Sequence, residues 1–294
     1  MATPERHSLD PRLGLNVPYE WWPSAAALKA IEAAGFAWVQ VAAPPVEMLA
    51  DPRHAIRHAV ALRRSLEVTD LRIVVHGPTS LKLGSALHYR AFEGLLEYSH
   101  TIGAEMLVYH ALDFDRRGSE SGEEERALRR LALTAEVLRL RVCLENLCPV
   151  YPGRSSVCHD PLSVRDLVQR LDSPAYGMLL DVGHAHVVAG FMGVETQTLV
   201  EPVLDVVRQF HLTLPWDEVS GSLLMHEAPL MMEIHPAHRS VPSALWEAAV
   251  TALTPSRAHP APRALSSPAS PADAGSASVP GVRGTPRARP ATSR

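Results

Sequence analysis

The 294-residue sequence has few cysteines, no long apolar run and little net charge. Its three cysteines, Cys143, Cys148 and Cys158, are odd in number and lack Cys-x-x-Cys spacing, which argues against a disulfide framework or a zinc ribbon. No apolar stretch reaches about 18 residues, and residues 1–11 contain no apolar segment of signal-peptide length. We therefore expect a soluble, cytoplasmic protein that does not enter a membrane.

The formal net charge of −4 excludes a global basic field of the kind that draws proteins to nucleic acids. A nucleic-acid partner is therefore not expected, although a local basic patch could still bind one. A homo-oligomer is compatible with the sequence, which does not specify an oligomeric state.

Short apolar runs alternate with helical patterns along most of the chain. Helix start signals include Ser24, Asp51-Pro52 and Asp160-Pro161. The strands are predicted at 13–17, 36–41, 72–76, 105–110, 141–146, 177–181, 209–212 and 229–235. Alternation of this kind predicts an α/β fold with a parallel sheet, and eight units predict closure into a (β/α)8 TIM barrel.

The predicted domain organisation is a single barrel with two flanking segments. Residues 1–12 form an N-terminal extension, and residues 13–253 form the barrel, including short helices at 217–224 and 242–253. Residues 254–294 are rich in Pro, Ala, Ser and Arg and contain scarcely any large apolar residue. Burial cannot offset the entropy of ordering such a segment, so a disordered tail is expected.

Six consecutive predicted strands carry a histidine or a carboxylate at or near the carboxyl end. These residues are His76, His110, Glu145, Asp181, His211 and Glu233, separated by steps of 34, 35, 36, 30 and 22 residues. In a TIM barrel, the carboxyl ends of the strands carry the active site. Three carboxylates converging there would repel one another without a cation. Mixed imidazole and carboxylate ligands suit Zn²⁺, Mn²⁺, Fe²⁺ or Co²⁺ better than Ca²⁺, with Mn²⁺ or Zn²⁺ the first expectation.

The run from Gly177 to His186 is the most informative single motif. Apolar residues lead into Asp181, and His184 follows three positions later, where Gly183 is expected to loosen the backbone. Of the remaining histidines, His186 is the best candidate to line the site, whereas His226, His235 and His238 are ambiguous. His76 and His110, taken singly, could be hydrogen-bonded strand-end residues, and Cys143 and Cys148 could be packing residues.

The sequence resembles the xylose isomerase-like TIM-barrel superfamily, which includes sugar isomerases and epimerases and endonuclease IV-type enzymes. The resemblance spans residues 13–253 and rests on Val75-His76-Gly-Pro, Val108-Tyr-His110-Ala, Cys143-Leu-Glu145-Asn146, Leu180-Asp181-Val-Gly-His184, Phe210-His211-Leu and Met232-Glu233.

The epimerase pattern implies that one divalent ion is held by Glu145, Asp181, His211 and Glu233. Glu145 and Glu233 would also exchange protons with the carbon of a small carbohydrate-like substrate, and His184 would lie near that substrate.

The endonuclease pattern implies instead a phosphodiesterase with three metals, and adds His76, His110 and His184 as ligands. It also requires an Asp-x-His pair after the seventh strand, which the segment 212–218 lacks. A non-catalytic relative with a degenerate site is the third alternative.

Overall fold

The computed structural model describes residues 10–17, 22–111, 119–148, 160–212 and 225–233. All of them lie within residues 1–254, the first of two units into which the chain divides. The predicted helices at 217–224 and 242–253, the predicted tail, and Cys158, His235 and His238 lie outside the described residues. No helix in the described ranges is both long enough and apolar enough to cross a membrane.

Eight parallel strands form a closed barrel, as the alternating pattern predicts. The strands are β1 (Leu13–Val17), β2 (Trp38–Ala42), β3 (Arg72–His76), β4 (Met106–Tyr109), β5 (Arg141–Glu145), β6 (Tyr176–Asp181), β7 (Val207–Leu212) and β8 (Leu230–Met232). Each strand pairs with its sequence neighbours, and β1 pairs with β8 to close the ring. The fold is therefore the predicted (β/α)8 barrel.

Helices follow most of the strands. They are α1 (Ala25–Ala33), α2 (Val46–Leu49), α3 (Pro52–Leu66), α4 (Ala86–Thr101), α5 (Ser119–Val137), α6 (Pro161–Leu171), α7 (Val182–Met192), α8 (Thr196–Val200) and a 3₁₀ helix (Glu201–Val206). The predicted start signals act as caps, because the side chains of Ser24, Asp51 and Asp160 accept hydrogen bonds from backbone N–H groups in the first turns of α1, α3 and α6.

Helix α7 begins immediately after β6, which differs from the expectation of a loosened backbone at Gly183. Asp181 ends the strand and also caps the helix, because its Oδ1 accepts a hydrogen bond of 2.7 Å from the backbone N–H of His184. A capping carboxylate stabilises a helix that starts at the next residue. Gly183 and His184 therefore lie in the first turn of a helix rather than in a loop.

The barrel interior is filled by an apolar layer that supports the polar strand ends. The layer consists of Trp38, Val74, Met106, Val108, Cys143, Leu179 and Met231. Gly14 makes room for it, because a Cβ there would overlap Met231 and lie 2.7 Å from Trp38 Cβ. Burial raises the pKa of the Cys143 thiol to about 12, which agrees with a packing role.

Strand periodicity places the candidate ligands directly above this layer. Side chains two positions apart point to the same side of a strand. The inward-facing pairs are Val74 and His76, Val108 and His110, Cys143 and Glu145, Leu179 and Asp181, and Met231 and Glu233. The same alternation that builds the apolar floor thus delivers the polar groups to the barrel mouth.

Candidate metal centre

The six strand-end residues come together at the barrel mouth in two groups that share one residue. The four-residue group is Glu145, Asp181, His211 and Glu233, and the three-residue group is His76, His110 and Glu145. Within each group, the potential ligand atoms all lie within 4.8 Å of one another. Glu145 belongs to both groups, so its two carboxylate oxygens can serve different neighbours.

The four-residue group is arranged around the imidazole of His211. Its Nδ1 lies 3.4 Å from Glu145 Oε1, 3.3 Å from Glu233 Oε2 and 3.9 Å from Asp181 Oδ2. Both His211 Nδ1 and Asp181 Oδ2 are buried and make no hydrogen bond within the described ranges. Buried polar atoms are normally satisfied, so two of them aimed at the same place suit a cation held between them.

Gln40 fixes the orientation and tautomer of His211. The Gln40 Oε1 accepts hydrogen bonds from His211 Nε2 at 3.0 Å and from Gln209 Nε2 at 2.7 Å. Because a carbonyl oxygen only accepts, Nε2 of His211 must carry a proton. In the neutral imidazole, Nδ1 then presents its lone pair to the carboxylates, as a metal ligand would.

The three-residue group converges on the other oxygen of Glu145. His110 Nε2 lies 2.9 Å and His76 Nε2 lies 3.3 Å from Glu145 Oε2. His76 Nδ1 donates to the carbonyl oxygen of Gly77 at 2.8 Å, which leaves its Nε2 free to accept a proton or a metal. Glu145 is therefore placed to bridge two adjacent cation sites.

Neighbouring charges shift the pKa values of the carboxylates in the four-residue group. Burial alone would raise the pKa of Glu145, but His110 and His211 bring it well below its ordinary value. Burial would also raise the pKa of Glu233, but the effect of His211 is larger and lowers the pKa of that carboxyl to about 2. Burial does dominate at Asp181, where it raises the pKa to about 6.

The pKa of the His211 imidazole moves in the opposite direction. Burial disfavours its charged form, but the carboxylates of Glu233 and Glu145 outweigh this and raise the pKa well above 6.5. Without a cation, His211 therefore holds a proton in the place that a metal would occupy.

His184 lies at the edge of the four-residue group, in the first turn of α7. Its Nδ1 donates to the Asn146 carbonyl oxygen at 2.9 Å and lies 3.4 Å from Asp181 Oδ2. The side chain is 30% exposed, so Nε2 can meet a molecule entering the mouth. The side-chain amide of Asn146 is hydrogen-bonded to the backbone N–H and C=O of Asp181, which ties the ends of β5 and β6 together.

His186, which was expected to line the site, does not join either group. It is exposed, and its Nδ1 lies 3.0 Å from the hydroxyl of Thr196 at the start of α8. The helical conformation explains this placement, because residues two apart on a helix point in different directions. His184 therefore faces the mouth while His186 faces α8.

Two amides at the site were missed by reasoning from the sequence. Gln40 is fully buried beneath His211, and Asn16 Nδ2 lies 3.4 Å from Glu233 Oε1. Each is a lone amide within an otherwise apolar strand, at an inward-facing position. The lone amides can be seen in the sequence. Their role, however, depends on which side chain each one contacts in the folded barrel.

The donor set suits a divalent transition metal. Three carboxylates and one imidazole in the four-residue group match the ligands that Mn²⁺, Zn²⁺, Fe²⁺ and Co²⁺ accept. The second, more nitrogen-rich group would hold a further ion through two imidazoles and the shared carboxylate.

A comparison of the sequence with models of known families agrees with the barrel fold. Residues 28–220 match the xylose isomerase-like TIM barrel family, so the chain belongs to that family. No protein of curated function matches the sequence significantly.

Several solved structures share the fold at low sequence identity. D-psicose 3-epimerase, crystallised in the presence of D-fructose, is 14% identical with a TM-score of 0.59, covering 76% of this chain and 84% of that chain. The 3-keto-D-glucoside 4-epimerase from E. coli is 13% identical with a TM-score of 0.63, covering 83% and 100%. An AP endonuclease of family 2 from Brucella melitensis is 16% identical with a TM-score of 0.62, covering 82% and 99%.

Proposed function

We propose that this protein is a divalent-metal-dependent isomerase or epimerase of a small sugar, sugar phosphate or related hydroxy-carbonyl compound. The proposal rests above all on the four-residue group, in which Glu145 Oε1 and Glu233 Oε2 lie 3.4 and 3.3 Å from His211 Nδ1. The fold shared with a D-psicose and a 3-keto-D-glucoside epimerase supports a carbohydrate-like substrate.

The residues that would hold the cation are Glu145, Asp181, His211 and Glu233. The ion, Mn²⁺ or Zn²⁺ in the first place, would supply Lewis-acid polarisation of a substrate carbonyl. Glu145 and Glu233 have lowered pKa values and are ionised at neutral pH, so either can accept a proton from carbon. The glutamate that accepts this proton can return it to the adjacent carbon to give the isomer. To give the epimer, the other glutamate donates a proton that it has first taken up from solvent, and the first glutamate releases its own proton to solvent. His184 would orient a substrate hydroxyl through Nε2.

The test compares the bound metal and the turnover of two variants, Glu233→Gln and Glu227→Gln. Glu227 is an exposed carboxylate near the opposite end of β8, so it controls for the change in charge. We expect Glu233→Gln to lose bound metal and turnover on a panel of ketoses, aldoses and their phosphates, with Glu227→Gln unaffected. A Glu233→Gln protein that keeps both its metal and its turnover would contradict the assignment.

A second candidate function is a metal-dependent phosphodiesterase. It is favoured by the three-residue group, because two cation sites bridged by one carboxylate are typical of enzymes that activate water and stabilise a leaving oxygen. The fold shared with an AP endonuclease of family 2 also supports it.

Metal content separates the two candidates. The phosphodiesterase requires at least two equivalents per chain and hydrolysis of bis(p-nitrophenyl) phosphate or abasic-site DNA. One equivalent together with sugar turnover would exclude it. A folded chain that binds no metal and turns over neither substrate would instead identify a non-catalytic relative.

A further inference from the structure

The amino-terminal end of the barrel contains a cavity, which we call the floor cavity. It has a volume of about 510 Å³, and its lining includes Trp38, Arg72, Arg139, Arg141, Arg208 and Glu227. Arg141 begins β5 and Glu145 ends it, so four steps of roughly 3.3 Å place the cavity about 13 Å from the metal centre. The apolar layer of the barrel separates the two.

The floor cavity has an excess of positive charge. Arg72 is paired with Glu105, with Nε 2.7 Å from Oε1, and lies over the Trp38 ring. Arg139 and Arg141 have no carboxylate partner among the residues that the structure describes. Arg208 is held by backbone carbonyl oxygens alone within the same ranges. Three guanidinium groups therefore share this space with one further carboxylate, that of Glu227.

Arg208 owes its position to an irregularity in the sheet. The β6–β7 register passes from Met178 opposite Val207 to Leu179 opposite Gln209, so Arg208 is the extra residue of a bulge. A bulge redirects a side chain. Gly177 on the neighbouring strand leaves space for Arg208, because a Cβ at this position would overlap the Arg208 side chain.

Arg141 and Arg208 also both act on Cys143, which belongs to the apolar layer of the barrel. Both guanidinium charges oppose the effect of burial on the pKa of the Cys143 thiol, although burial dominates. Both side chains line the same cavity, and like charges gathered in one cavity are favoured when an anion lies between them. The arrangement suits a ligand with several oxygens, because a guanidinium group binds such a ligand in a bidentate manner.

We propose that the floor cavity is a binding site for a small phosphate-bearing molecule, separate from the metal centre. Its volume lies within the range of roughly 300–1,000 Å³ that small-molecule sites occupy. The guanidinium groups of Arg139, Arg141 and Arg208 would bind the phosphate oxygens. This site does not depend on the reaction at the barrel mouth.

Titration calorimetry of the full-length protein with inorganic phosphate tests this site. The variant is Arg141→Gln/Arg208→Gln, and the matched control is Arg53→Gln/Arg57→Gln on α3, which changes the net charge equally. We expect saturable binding to the native protein and to the control, and binding at least about tenfold weaker to the floor variant. The metal centre is the same in all three, so phosphate bound there contributes equally.

Absence of saturable binding to the native protein, or equal affinity of all three proteins, would overturn the proposal. A second variant guards against misfolding of the first. Arg139 has a φ of 57°, a conformation that glycine adopts more readily than arginine. Arg139→Gly should therefore remain at least as stable as the native protein in thermal unfolding and still bind phosphate more weakly. Unchanged affinity of this stable variant would also contradict the site.

Discussion

Individual side chains at the barrel mouth are oriented by neighbours that are not themselves candidate ligands. Gln40 accepts from His211 Nε2, the backbone N–H of His184 donates to one oxygen of Asp181, and the Gly77 carbonyl holds His76 Nδ1. Each of these bonds occupies the atom that faces away from the centre. The ligand atom that remains therefore points inward before any cation binds, which reduces the cost of ordering the site.

Replacement of Gln40 tests this orientation directly. Gln40→Met removes the acceptor for His211 Nε2 at similar volume, so the tautomer of His211 is no longer fixed. We expect metal affinity to fall by about 10- to 100-fold, measured by competition with a chromophoric chelator. Gln209→Met is the matched control, because Gln209 contacts Gln40 but not the metal centre. Equal losses in both variants would indicate a general packing effect instead.

The dependence of metal affinity on pH follows from the pKa shifts at Asp181 and His211. In the metal-free protein, the pKa of His211 is well above 6.5, so its imidazole holds a proton at neutral pH. The pKa of Asp181 is about 6, so its carboxylate binds a proton as the pH falls toward 6. A cation must displace these protons, so affinity should fall as the pH falls from about 8 to about 5. Competition titrations across this range should show a loss of about tenfold per pH unit for each proton released. A flat profile would contradict the assignment of His211 as a ligand.

At the scale of elements, a close contact joins α2, which follows β2, to α4, which lies between β3 and β4. Helix α4 approaches α2 so closely that a Cβ at Gly94 would overlap the carbonyl oxygen of Leu49. Backbone atoms cannot move aside as a flexible side chain can. The absence of a side chain at Gly94 therefore sets the distance between the two helices.

The substitution Gly94→Ala should destabilise the protein by about 1–3 kcal/mol through this overlap. Gly190 in α7 is a matched control, because it is also helical and a Cβ there would meet nothing within 4 Å. Gly190→Ala should instead stabilise the protein by up to about 1 kcal/mol through helix propensity. Chemical denaturation of both variants provides the measurement, and similar effects in the two would contradict the contact.

At the scale of the whole molecule, the candidate metal centre joins strands from much of the ring. The candidate ligands come from β3, β5, β6 and β7 and from the residues that directly follow β4 and β8, so bound cations would connect elements that are distant in sequence. A ligand that binds only the folded chain stabilises it in proportion to the logarithm of its concentration over Kd.

Removal of the metal by chelation should therefore lower the Tm. At a free metal concentration of about 100 Kd, the loss is about 2.7 kcal/mol, or roughly 5–10 °C for a domain of this size. Addition of Mn²⁺ or Zn²⁺ should restore the Tm, whereas Ca²⁺ should not. The chelated variant Glu145→Gln provides the control, since it should respond to neither metal. An unchanged Tm after complete removal of the metal would exclude this role.

The barrel and six of its mouth residues could be predicted from the sequence because both depend on local patterns. Strand periodicity, together with a spacing of about one β/α unit between successive polar residues, indicates where each strand ends. Strand β3, for example, was predicted at its observed bounds, Arg72–His76. The prediction was wrong at Gly183, because a cap formed by Asp181 outweighs the low helix propensity of glycine. The same helix places His186 beside Thr196 and outside the two ligand groups.

Only the tertiary structure decided how the six residues divide into two groups that share Glu145. It also revealed Gln40 beneath His211 and the convergence of Arg139, Arg141 and Arg208 at the floor. The physical reason is that these relations run across the barrel between strands far apart in the chain. The sequence by itself determined which residues end each strand and face the interior. Closure of the ring decided which of those residues meet, because the distance between two side chains depends on the register and packing of all eight strands.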